Sequence, residues 1–349
     1  MVLIGGYTER MDADTPGKAR GISAYDFHPG AGGELHFLGF APAVNPSYLR
    51  PDRKRGVVYA VSERESSNHA CVTAHRVRRN RKGKVEFEKI SEVLIKGDHP
   101  CQLTLAGGTL LVSSYTNGML HVIGRAQDGA LTEVLQDIQL TTSTGRGPHA
   151  HCTAYDRARQ RVYLCDLGDD KLKTFTRAED GRLTHVPGLD LSFATGEGPR
   201  HVVLHADGDH ALVNGECIGV VHLVDLTGEA GPAIVHTANA LPERVIDEAS
   251  GAAIRIGPKG KMVYVSDRTF SVINRLRLDV KAGKLSFRDS YASGGESPRD
   301  FSISADGEWL LAANSVDSTV GVFRVDPKGN LTHYRTVKGV PTPTSIAWW

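Results

Sequence analysis

The segment from Gly198 to Glu216, GPRHVVLHADGDHALVNGE, sets a guanidinium, an imidazole and a carboxylate at related positions. It reads as two short strands separated by the turn signal Asp207-Gly208-Asp209. The start of the first strand and the end of the second share one edge of such a hairpin, so Arg200, His201 and Glu216 gather there. An arginine presents a planar fork that suits phosphate or carboxylate oxygens. A histidine titrating near neutrality is the usual general base, and a carboxylate can orient it or activate water. An adjacent arginine can steady an oxyanion forming on a carbonyl. Together these parts fit attack of water on an ester-like carbonyl.

The hairpin is not unique. A proline, a short strand, a polar turn and an apolar strand recur from Asn45-Pro46, His99-Pro100, Gly147-Pro148, Gly198-Pro199 and Ser297-Pro298. A copy without the proline starts at Ala252, and a last one at Thr342-Pro343 stops at Trp349 before its second strand. The spacing is roughly 50 residues and each interval holds four strand signals, the signature of a β-propeller. The missing second strand lies at the other end of the chain, where Val2-Leu-Ile-Gly-Gly-Tyr7 has the matching form and Gly21 to Phe27 and Leu35 to Phe40 follow as outer strands. The expected fold is all-β: one domain over residues 1–349, a seven-bladed propeller closed by N-terminal strands that complete the C-terminal blade. Closure in one sheet removes the open edges that invite aggregation. The longest irregular stretch, roughly Thr237 to Gly251, is expected to rim a binding face.

First strands line the channel of a propeller, and their starts open on the same face as the ends of the second strands. That face collects Asn45, His99, His149, His151, Arg200, His201, Arg255, Arg299 and Asp300 from strand starts. Strand ends add Tyr7, Glu63, Tyr115, Asp166, Glu216, Asp267, Arg268 and Asn314. His149, Arg200, Glu216, Arg268, His151, Arg299, Tyr7 and Glu63 are the candidates at this mouth for catalysis or substrate contact. Alternation predicts that His151 lies deeper in the channel than His149, and that His201 turns away from Arg200 into its blade. Asp166, Asp300 and Asn314 are expected to tie hairpins together through backbone bonds. The arginines favour a phosphate- or carboxylate-bearing small molecule. His149-Ala-His151-Cys152 is too short a pattern to argue a metal site, and no metal is expected.

Composition narrows the classes. Lys plus Arg number 41 against 40 Asp plus Glu, a net charge of +1 that gives no electrostatic case for nucleic acid or an anionic membrane. No apolar run is long enough for a membrane-spanning helix. Five cysteines (Cys71, Cys101, Cys152, Cys165, Cys217) without paired spacing, and a start without secretory-signal features, lead to the expectation of a cytoplasmic protein with reduced thiols. No nucleophile elbow, P-loop or dinucleotide fingerprint stands in a supporting context.

Gly6-Tyr7-Thr8, Asn45-Pro-Ser-Tyr-Leu49, Gly147-Pro-His-Ala-His151, Gly198-Pro-Arg-His201 with Glu216, and Ser297-Pro-Arg-Asp-Phe301 through Asn314 resemble the seven-bladed propeller lactonases. That family includes one class of bacterial 6-phosphogluconolactonase and the fungal carboxy-cis,cis-muconate cyclase. The resemblance covers the whole chain. It implies a His, two Arg and a Glu at His149, Arg200, Glu216 and Arg268. It also implies hydrolysis of a sugar-acid lactone without metal or organic cofactor, with the anionic lactone as partner; closed propellers are often monomers, and a monomer is expected. A lactone-forming cycloisomerase would need nearly the same residues. A non-catalytic scaffold would instead expose apolar anchors on a face.

Overall fold

The computed structural model describes residues 1–13, 15–142, 145–242 and 248–349. Seven antiparallel sheets stand in a ring, each a meander of four strands; the sheet that begins at Ala150–Asp156 carries one further short strand. The outer edge of that sheet is divided into Leu183–His185 and Leu191–Ser192 by a turn at Pro187–Leu189. The ring closes as the termini suggest. Pro343–Trp348 pairs with Val2–Gly6, Leu3 opposite Ala347, and Gly21–His28 and Glu34–Pro42 finish the sheet. Part of the irregular stretch before Gly251 falls at 243–247, outside the described residues.

The core lies between blades. Second strands such as Val57–Ser62 and Trp309–Asn314 are buried along their whole length. Val57, Tyr59 and Val72 of one blade close against Leu103, Leu110 and Ile123 of the next. Val2, Ile4 and Ile346 of the closing blade meet Leu311 and Val322 in the same way. Each such side chain contributes roughly 1.5–3 kcal/mol by leaving water. The closing contact joins the two chain ends through apolar packing as well as through the strand ladder.

One feature of the first strands determines what reaches the channel. The ladder runs Pro199 opposite Gly215 and then His201 opposite Asn214, so Arg200 is an extra residue, a β-bulge. The same skip leaves out Cys101, His151 and Arg299. Bulges bend a strand and re-aim one side chain, often beside active sites. The proline motif marks this position at Pro100, Pro199, Pro298 and Pro343, but in the blade of His151 it is Ala150, opposite Asp166, that takes the place. Pro148 stands two residues early. His151, and not His149, is therefore the counterpart of Arg200 and Arg299.

Just before the bulges, seven backbone bonds tie each strand start to the end of its partner strand. Asn45 accepts from Glu63, His99 from Tyr115, His149 from Leu167, Gly198 from Glu216, Ser250 from Arg268, Ser297 from Ser315 and Thr342 from Tyr7. Gly198 takes a left-handed φ of 62°, and a β-carbon there would come within 2.9 Å of Cys217 Sγ.

Candidate active site

Two rings of equivalent positions make up the mouth of the channel. The bulges supply Cys101, His151, Arg200 and Arg299, and the strand ends supply Tyr7, Glu63, Tyr115, Leu167, Glu216, Arg268 and Ser315. Asp166, Asp267 and Asn314, expected at the strand ends, sit one residue earlier and hold backbone in place. Asp166 accepts the His149 N–H at 2.9 Å, Asp267 those of Ser250 and Phe270, and Asn314 donates to the Ser293 carbonyl. Arg255 leaves the mouth: it pairs with Asp300 at 2.6 Å in a cavity beside Arg50 and Ser302.

Glu216 is held between two guanidiniums. Arg200 Nε lies 2.9 Å from one carboxylate oxygen, an ion pair without hydrogen-bond alignment, and Arg268 donates to the other. Burial pushes the Glu216 carboxyl up, but Arg268 and Arg200 outweigh it and hold the group below its ordinary range. It is therefore ionised at neutral pH. Arg200 is 2% exposed, and burial, opposed by Glu216 and reinforced by Arg268 and Arg299, pushes it down to about 10. It stays a cation at neutral pH.

Glu63 occupies the same ring position as Glu216. Tyr7 donates its phenol to Glu63 Oε1 at 2.9 Å, and Arg299 approaches that oxygen to 3.6 Å with its guanidinium carbon 5.5 Å from the Tyr7 ring centre. Burial raises the Tyr7 phenol, so it remains a hydrogen-bond donor. Arg299 is raised as well: burial lowers it, but Tyr7 and Glu63 more than compensate.

His149 is half-buried, and its ring stacks on Tyr115 with centroids 4.5 Å apart and planes at 13°. Its Nδ1 lies 3.0 Å from the Tyr115 carbonyl oxygen. A carbonyl only accepts, so Nδ1 carries the proton and the lone pair of the neutral ring is on Nε2. Tyr115 thus fixes both tautomer and plane, a role that sequence reading did not give it although its strand-end position was legible. Burial first, and then the charge of Glu216, raises the Tyr115 phenol.

His151 and His201 lie below this layer. His151 is buried, its Nδ1 has no partner, and burial followed by Arg200 drives it well below the ordinary histidine range. His201 does not turn into its blade. The bulge at Arg200 breaks alternation, and His201 lies 5.1 Å from the His151 ring, its Nε2 accepting from Arg200 at 3.2 Å. Beside these layers opens a cleft of about 640 Å³ lined by Tyr7, Arg268 and Arg299. Among the described residues no group of three or more His, Cys, Asp or Glu side chains is arranged to hold a metal ion. All five cysteines are free thiols.

Ring closure across the termini, seven blades and this polar mouth define a seven-bladed propeller with a charged channel mouth, and the comparisons agree with the fold. Residues 1–348 match the family described as Lactonase, 7-bladed beta-propeller, and the chain belongs to that family. It is 28% identical over 313 residues to a 6-phosphogluconolactonase of Bacillus subtilis, covering 86% of each chain. It is 32% identical over 231 residues to one of Sodalis glossinidius, covering 65% of this chain and 67% of that one. Among solved structures, the periplasmic gluconolactonase PpgL of Pseudomonas aeruginosa superposes with a TM-score of 0.90 at 26% identity, over 99% of this chain and 98% of the other.

Proposed function

We propose that this protein hydrolyses the lactone of a sugar acid. The observation that carries the reading is His149, whose Nδ1–H is committed to the Tyr115 carbonyl, leaving Nε2 as acceptor at the same channel mouth that holds a Glu216 carboxylate flanked by two arginines. Nε2 takes a proton from water as the oxygen attacks the lactone carbonyl. Arg200 and Arg268 steady the oxyanion that develops, and the ring C–O bond then breaks with return of the proton from His149 to the departing hydroxyl. Glu216 is already ionised and doubly paired, which makes it a weak base; it holds the two guanidiniums in place. Tyr7, Glu63 and Arg299 shape the adjoining wall, and His151 packs beneath.

The names of the Bacillus and Pseudomonas relatives support lactone hydrolysis as the reaction class. A pH-stat assay of acid release from sugar lactones tests it. Turnover above the spontaneous rate in the native protein, lost in folded His149→Ala, is the expected result. Unchanged turnover in that variant removes His149 from the reaction. The reading includes a monomeric cytoplasmic protein; size-exclusion chromatography and cell fractionation check both points.

A further inference from the structure

The mouth holds three arginines, and each faces a carboxylate. Arg200 and Arg268 share Glu216, and Arg299 faces Glu63. A phosphate monoester near neutrality carries close to two negative charges and is bound by guanidinium or ammonium groups whose hydrogen bonds are free to turn to it. Here Arg200 and Arg268 are paired with Glu216 and Arg299 stands 3.6 Å from Glu63, so each guanidinium comes with a carboxylate whose charge opposes a dianion.

The 640 Å³ cleft beside them extends the pattern. Its cationic lining consists of Arg268 and Arg299, and it also contains the carboxylates of Asp12 and Glu296. Asp12 accepts the Thr15 N–H at 2.7 Å, and Glu296 is solvent-exposed. Much of the remaining wall consists of hydroxyl residues, among them Thr15, Ser250, Thr269, Ser271 and Ser315. Hydroxyl and carboxylate groups match the donors of a polyhydroxylated chain, whereas a dianion placed there meets like charge from Asp12 and Glu296. The arginines at Glu216 serve a different charge: the oxyanion, and then the product carboxylate, which exist only once water has attacked.

We infer that the cleft selects an uncharged polyhydroxy lactone over its phosphorylated counterpart. This rests on the lactonase reading above and names its substrate class. Hydroxyls of the substrate lie against the Ser, Thr and acidic lining, and the carbonyl faces His149 and the Arg200–Glu216–Arg268 group.

The test measures initial rates on D-glucono-1,5-lactone and on its 6-phosphate with the native protein. The expected kcat/KM is at least tenfold higher for the unphosphorylated lactone, and a ratio below ten overturns the inference. A parallel titration calorimetry experiment compares gluconate with 6-phosphogluconate and needs no turnover. If neither lactone is hydrolysed, the lactonase reading falls while this titration still decides the charge preference: tighter 6-phosphogluconate binding overturns it, and tighter gluconate binding supports it. Glu296→Lys supplies the missing cation at an exposed position. It is expected to shift the kcat/KM ratio at least tenfold toward the phosphate ester, and an unmoved ratio removes Glu296 from the selection.

Discussion

His149 and His121 stand in adjacent blades, and both have Nδ1 committed to a protein oxygen. His121 lies in strand Met119–Arg125, with Nδ1 2.7 Å from Asp137 and Nε2 3.1 Å from Ser114 Oγ. Those contacts are the order of a hydrolytic Ser-His-Asp triad. Yet Ser114 and His121 are fully buried, and Gly97 lies over them so closely that a β-carbon there would be 2.1 Å from Ser114 Oγ and 2.3 Å from His121 Nε2. No acyl group has room to approach. His149 has poorer-looking parts, a backbone carbonyl in place of an aspartate, but keeps Nε2 for an incoming molecule. A histidine fully bonded at both nitrogens joins strands; one bonded at a single nitrogen at a channel mouth is free to accept a proton.

Crossed substitutions break or sharpen that contrast. His149→Ala is expected to lower kcat by about 10²- to 10⁴-fold, the usual contribution of a general base. Its melting temperature should change little, because the half-buried ring is replaced at the rim. His121→Ala should do the reverse. It strands the buried Ser114 hydroxyl and leaves Asp137 with Lys96 alone, and is expected to cost about 2–4 kcal/mol of stability. Activity per folded molecule should stay near wild type. Rates on lactone together with urea midpoints measure both axes, and a His121→Ala protein that stays folded but loses kcat would show the buried triad taking part in catalysis.

Gly97→Ala probes the lid over His121 with a smaller change. The added methyl meets Ser114 Cβ at 2.4 Å as well as Oγ, so side-chain rotation alone cannot relieve it. Overpacking of this kind is expected to cost about 1–3 kcal/mol. The catalytic rate of the folded fraction should be unaffected. A neutral urea midpoint would mean that the blade yields at this place, and would weaken the claim that Ser114 is sterically sealed.

The architecture was legible because it depends on repetition. Seven hairpins at near-constant spacing, and two termini each lacking what the other has, admit few arrangements. The site was legible where position along a hairpin decides it: Arg200, Glu216 and Arg268 come together as their places in the repeat require. What failed was strict alternation. A single extra residue in the first strand turns His201 toward His151 and makes His151 the counterpart of Arg200. Pro148 hides this shift, since a proline two residues early imitates the motif. Tyr115 was missed for another reason: its bond to His149 uses the backbone carbonyl, which every residue possesses.

The remaining contrast lies among histidines in third strands at one register, opposite Val58, Val112 and Val213 of their blades. His121 and His222 each have a carboxylate partner, Asp137 and Glu197. His75 has the Thr73 hydroxyl at 3.0 Å instead, and burial followed by nearby Lys89 pushes it down to about 4. A histidine with a lowered folded pKa binds fewer protons in the native than in the unfolded state between the two values. Its contribution to stability is present above the unfolded pKa, near 6.5, and is lost as pH falls toward 4. His75 alone is expected to remove roughly 3 kcal/mol across that window. His75→Leu keeps the volume and removes the titration, so its urea midpoint should fall less steeply from pH 6.5 to 4 than that of the native protein. Equal slopes would mean that His75 gains a proton in the folded state, and that its blade admits water where the other two histidines rely on a carboxylate.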